Sequence, residues 1–215
     1  GLVLAVVAGV AVATPAVAGI TAFKQAVAEA ASENRDIAAF YRENGFSAVW
    51  TGAGDEQRNR RSALLSAMEA AGMHGLPAGR YDTARLLRLL QDVRTPRDRG
   101  LAEVAMSRAF IRIARDMQSG VLDPASVDDG IKRKGTYKDA TTYLSGLVAS
   151  DHPRAYFRTL LPQTREYTRL LREKIRLERL IESGGWGPEV PGGPLELGDR
   201  RPAVGALRHR PVGLG

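Results

Sequence analysis

Apolar side chains along this chain return every three or four positions, the spacing that puts them on one side of a helix. Ser32 reads as an N-cap, and the helix it opens, to about position 42, sets Ile37, Phe40 and Tyr41 on a common face before Gly45 stops it. Phe46 to Trp50 is a short apolar stretch, turned by Thr51-Gly52-Ala53-Gly54. A helix over about 56–71 carries Leu64, Leu65, Met68 and Ala71 as a stripe closed by Gly72, and Asp82 caps another that bears Leu86, Leu87, Leu89 and Leu90. Thr95-Pro96 pairs a cap with proline at the first helical position. The long helix it starts, to about 119, shows Leu101, Val104, Ala105, Phe110, Ile111, Ala114 and Met117 as its inner side and ends at Gly120. Residues 122–138 hold Asp123-Pro124, Gly130 and Gly135 and read as an irregular excursion. Helical spacing returns over about 139–149, after Pro153, and over 164–182, where Tyr167, Leu170, Leu171, Leu177, Leu180 and Ile181 recur. No stretch alternates with period two, and no repeat of 20 to 50 residues is visible. The pattern predicts an all-α, irregular multi-helix domain of six or seven helices over residues 32–183.

The flanks differ. Residues 184–194 are dense in Gly and Pro around Trp186 and read as a linker, after which 195–215 begins a new module that breaks off at Pro211. At the other end, residues 2–12 are an unbroken run of small apolar side chains, followed by Thr14-Pro15 and Ala16-Val17-Ala18. That is the h-region and A-x-A pattern of an export signal over residues 1–18, without its basic n-region or starting Met. Residues 19–31 then form a linker or short helix. The apolar run falls short of the roughly 20 residues a membrane span needs, so no stable span is expected once the signal is removed. A buried apolar helix or a retained anchor is the competing reading.

Charge and cysteine narrow the chemistry. The net charge is +7, with 44% hydrophobic residues, so a buried core is affordable and polyanions enter as partners. The basic residues are mostly Arg and dispersed, with Lys132-Arg133-Lys134 the only triplet and no aromatic interleaving, which argues against nucleic acid. The chain has no cysteine, hence no disulfide, thiolate metal site or thiol nucleophile. His74, His152 and His209 stand apart without a second His at ligand spacing, so no metal and no cofactor is expected. Asp128-Asp129 beside Gly130 reads as a solvated turn rather than a catalytic pair. There is no nucleophile elbow and no phosphate loop. Phe40, Tyr41 and Trp50 read either as a hydrophobic mini-core or as a sugar-stacking surface, and Arg42 and Arg112 as ion-pair partners or contacts to glycan and peptide carboxylates.

The order of several short motifs resembles a known family, the exported murein L,D-transpeptidases that carry a helical scaffold domain. The resemblance rests on Phe40-Tyr41-Arg42 and Trp50, His74-Gly75-Leu76, Tyr81-Asp82 and the run Ala109-Phe110-Ile111-Arg112 through Asp116. It continues in Gly120, Asp123-Pro124, Leu161-Pro162, Tyr167 and the Gly184-Gly185-Trp186 linker, then in Gly198-Asp199, Pro202, Val204, Leu207 and Arg208, which are similar to the start of a peptidoglycan-binding repeat. That repeat is incomplete here, and the family's Ser-His-Gly-Cys catalytic motif is absent, so no catalytic residue carries over. The resemblance implies a noncatalytic scaffold portion of a periplasmic or envelope enzyme that cross-links peptidoglycan, partnered by a C-terminal catalytic domain. The substrate-binding candidates are Arg42, Tyr41 and Trp50. Two alternatives stand beside it: an exported peptidoglycan-binding or envelope adaptor without chemistry, and a basic nucleic-acid-binding helical protein.

Overall fold

The computed structural model describes residues 15–122, 130, 138–185, 192–194, 196–198 and 200–209. Among them there is no strand. The helices are α1 (Pro15–Ala31), α2 (Arg35–Glu43), α3 (Asp55–Glu69), α4 (Thr83–Gln91), α5 (Pro96–Ser119), α6 (Ala140–Val148), α7 (Pro153–Leu160), α8 (Arg165–Glu182) and α9 (Pro202–His209). Two short 3-10 turns, Ala78–Arg80 and Ala70–His74, lie between α3 and α4. The expected all-α architecture is the observed one.

Most helix starts follow their side chains. Thr95 and Asp98 form a reciprocal capping box ahead of Pro96, which makes α5 start sharply. Asp82, Asp139 and Thr164 cap α4, α6 and α8 through single side-chain acceptors. At α2 the cap is Asn34 and not Ser32. The Asn34 carbonyl oxygen reaches the backbone N–H groups of both Asp36 and Ile37, at 3.2 and 3.0 Å, while Ser32 Oγ donates back to the Glu29 carbonyl of the preceding helix. α2 ends as predicted at Gly45, whose φ of 60° is cheap only without a Cβ. Helix α3 gives way to its 3-10 turn before Gly72, and the left-handed closing residue is Gly75.

The chain divides into two compact units, Gly1–Pro162 and Gln163–Gly215. In the first, α5 is the central post. It buries side chains on nearly every side, from Ala102, Met106 and Ile113 to Phe110 and Ala114. Helix α1 lies along it, burying Phe23, Ala26, Val27 and Ala31. Gly100 makes that approach possible: a Cβ there would stand 2.7 Å from Ala26 Cβ and 2.8 Å from the Phe23 carbonyl. Arg97 pairs with Glu29 at 2.8 Å, and Arg108 donates to the Ala30 carbonyl at 2.6 Å. Residues 19–31 are therefore helical, and Ala16-Val17-Ala18 lies in the same helix. The apolar run 2–12 of the expected export signal lies outside the described residues.

Elsewhere around α5, Phe110 meets Phe157 of α7 edge to face at 5.5 Å between ring centroids and Trp50 at 5.6 Å. Leu64 and Met68 of α3, and Tyr143, Leu144 and Leu147 of α6, complete the same core. Leu101, expected on the inner side of α5, is 40% exposed, and Leu87 of α4 is 41% exposed. The place of Leu101 is taken by residues the pattern set aside, among them the polar Glu103 and Ser107 on α5, both fully buried.

In the second unit, Thr164-capped α8 is amphipathic without being buried: Tyr167, Leu171, Leu177 and Leu180 are half-covered, while Leu170 and Ile181 are open. Its charged side is laced by Lys174–Glu178 and Arg176–Glu173 pairs one helical turn apart. No helix among the described residues is long and apolar enough to cross a membrane.

Candidate functional site

Two polar centres are built on the two sides of α5. The first is closed. A carboxylate at the core of a helical domain is costly unless every lone pair finds a donor, and Glu103 is surrounded by them. Its Oε1 accepts from Tyr41 Oη at 2.9 Å, the Val49 N–H at 2.6 Å and the Trp50 N–H at 3.1 Å. Its Oε2 accepts from the Thr51 N–H at 2.9 Å and Thr51 Oγ1 at 2.7 Å. Ser107, one turn further along α5, accepts from Trp50 Nε1 at 2.8 Å and lies 2.7 Å from Tyr41 Oη. The segment Val49–Thr51 has no regular secondary structure, so its N–H groups need partners from elsewhere. Glu103 supplies them in place of a helix or sheet.

The second centre is open. Arg108, Arg112 and Arg115 recur at i, i+4 and i+7 along α5 and line a cleft of about 450 Å³, joined by Arg80, Asn34 and the apolar Ile37 and Ile111. Asp116 forms part of its wall. Its Oδ2 accepts from Arg80 Nε at 2.7 Å and from Tyr81 Oη at 2.8 Å, which fixes the turn before α4 against α5. Arg108 is paired with Glu33 at 2.6 Å. Arg112 is exposed and has no ion-pair partner among the described residues.

A family model described as a Scaffold domain matches residues 35–173. The chain belongs to this scaffold-domain family. No curated protein and no solved structure matches it. The match to the scaffold domain opens at the first residue of α2, takes in the Glu103 centre and the cleft lining from Ile37 onward, and ends within α8.

Within the scaffold domain, the residues singled out from sequence part company. Tyr41 and Trp50 are wholly buried in the Glu103 centre, so their rings form internal struts and no open sugar-stacking face. Arg42, next in sequence on α2, points to the exposed side of that helix and shares no contact with the cleft. The structure therefore brings Tyr41 and Trp50 together and leaves Arg42 apart. Asp128-Asp129 and Lys132-Arg133-Lys134 lie outside the described residues. Among the described residues no group of three or more His, Asp or Glu is arranged to hold a metal ion. The cleft arginines were within reach of sequence reasoning, through the helical spacing of Arg108, Arg112 and Arg115. The contribution of Arg80 was not, because it arrives from a 3-10 turn 36 residues before the Asp116 that holds it.

Burial raises the phenols of both centres. Tyr41 is pushed well above the ordinary tyrosine range by desolvation and then by the Glu103 charge, and Tyr81 by desolvation and then by its bond to Asp116. The unfolded chain ionises these phenols near pH 10. Their folded forms stay protonated to higher pH, so the stability they contribute is complete below pH 10 and is lost as pH rises above it. Urea midpoints measured upward from about pH 9 should fall, and Tyr41→Phe should flatten that decline; an unchanged slope in the variant would remove Tyr41 from the account.

Proposed function

We propose that this scaffold domain is the noncatalytic frame of an exported L,D-transpeptidase that acts in peptidoglycan cross-linking. The observation that carries the reading is the agreement between the family match over 35–173 and the residues of the L,D-transpeptidase resemblance inside it. Phe40, Tyr41, Trp50, Tyr81, Phe110 and Asp116, which carry that resemblance, are packed or hydrogen-bonded within one core. They serve as struts. Acyl transfer of this type needs an activated thiolate, with a base and an oxyanion hole. This chain contains no cysteine, so the reacting sulfur belongs to a partner domain and the helices supply its support. The small-residue triplet behind an apolar run supports export, and the turn residue Gly198 with Pro202 and Val204 of α9 supports a wall-binding module.

The test uses the purified chain and purified murein sacculi. The chain is expected to co-sediment with sacculi and, incubated with soluble stem peptides, to yield no cross-linked product by chromatography. Cross-linked product from a clean preparation would overturn the noncatalytic role, and a chain left wholly in the supernatant would overturn the wall assignment.

A further inference from the structure

Helix α8 carries its arginines in one line. Arg165, Arg169, Arg172, Arg176 and Arg179 recur at intervals of four and three. At about 100° per residue they stay within an arc of about 80° and form a crest about 21 Å long, and no other residue type falls in that arc. All of them are exposed. Arg176 is held by Glu173 at 2.6 Å, while Arg165, Arg169, Arg172 and Arg179 have no ion pair among the described residues. Glu166 and Glu173 stand along one margin of the crest and Glu182 along the other. The apolar side chains, Tyr167, Leu171 and Leu177 among them, lie on the far side of the helix.

That arrangement selects the partner. A protein interface draws its affinity from buried aromatic and aliphatic anchors, and the crest has none. A second copy of α8 laid on the same face would set arginines against arginines. A nucleic-acid duplex encloses an inserted helix from both flanks, which would bring its phosphates against Glu166, Glu173 and Glu182. A flat sheet of phosphate groups touches the crest alone and leaves these glutamates in water. The planar guanidinium fork suits phosphate oxygens in paired hydrogen bonds. Because the apolar residues of α8 face away from the crest, the contact is with headgroups and not with hydrocarbon.

We propose that α8 is a peripheral membrane-contact element whose arginine crest lies on the headgroups of an anionic phospholipid bilayer. The inference stands on the charge pattern of α8 alone and goes beyond the wall-enzyme reading.

The test is co-sedimentation of the full chain with phosphatidylcholine vesicles that contain about 30% phosphatidylglycerol, against vesicles of phosphatidylcholine alone. At about 50 mM salt the anionic vesicles are expected to bind about tenfold more strongly or better, since each arginine near such a surface adds about fivefold. At about 500 mM salt most of that excess should be screened away. Arg165→Gln, Arg169→Gln, Arg172→Gln and Arg179→Gln made together should abolish the excess while the far-ultraviolet circular dichroism stays unchanged. The comparison variant carries Arg35→Gln, Arg85→Gln, Arg88→Gln and Arg94→Gln, exposed arginines outside α8, and loses the same charge. It should keep the excess to within about twofold. Equal binding to both kinds of vesicle, an excess that both variants lose alike, or tighter binding to a duplex oligonucleotide than to the anionic vesicles would each overturn the proposal. Purified sacculi hold no bilayer, so failure on vesicles leaves the sacculus result untouched, and failure on sacculi leaves this one.

Discussion

Glu103→Ala is expected to remove about 3–5 kcal/mol of unfolding free energy, the scale seen when one partner of a buried, charge-assisted network is deleted. The loss has three parts. The side chain leaves a cavity beside α5. The N–H groups of Val49, Trp50 and Thr51 and the hydroxyls of Tyr41 and Thr51 lose their acceptor. Water does not easily reach the donors of Tyr41, Val49 and Trp50, which are fully buried. Glu103→Gln separates these contributions. It keeps the shape and one carbonyl oxygen for Tyr41, Val49 and Trp50, but turns an NH₂ donor toward the donors of Thr51, so its cost should be smaller, about 1–3 kcal/mol. Urea unfolding followed by far-ultraviolet circular dichroism checks both. A Glu103→Ala loss below about 1 kcal/mol would show that the segment 49–51 is held by packing and not by this carboxylate.

The position of Glu103 also explains what sequence reading sees and what it passes over. Caps and stops were legible because they act through neighbours in sequence: Thr95 with Pro96, Asp82 and Gly45 need no tertiary knowledge. The all-α class followed from the same local periodicity. The inner side of α5 was only half legible, because a helix enclosed by α1, α3, α6 and α7 has no single apolar stripe. Counting hydrophobes there selects Leu101, which is exposed, and rejects Glu103 and Ser107, which are not. A buried glutamate reads as a surface residue until the irregular segment that needs its oxygens is brought against it, more than 50 residues earlier in the chain. Ser32 lost the capping role to Asn34 for a related reason: both suit a cap, and the end of α1 at Ala31 decides which stands at the start of α2. The cleft follows the same logic, with three arginines legible as a helical stripe and the fourth, Arg80, placed by its bond to Asp116.

Trp50→Ala should cost about 3–5 kcal/mol, as large aromatic truncations in cores do, and the same substitution tests what that aromatic is for. Trp50 is fully buried, stacks at a tilt on Phe110 and donates its indole N–H to Ser107. Alanine removes the ring, leaves a cavity against α5 and strips Ser107 of a donor. Trp50→Phe keeps most of the ring and loses the indole bond, so its loss should be clearly smaller. A ring serving as an open sugar-stacking surface behaves differently: its removal would leave stability within about 0.5 kcal/mol while abolishing binding. Arg42→Ala provides that surface control, since Arg42 is exposed on the neighbouring helix. If both variants unfold at the urea midpoint of the unaltered chain, Trp50 is no strut and the closed centre around Glu103 has been misread. If Trp50→Ala alone is destabilised, any accompanying loss of sacculus binding is a consequence of unfolding, and the contacts to the wall must be sought on the exposed surface.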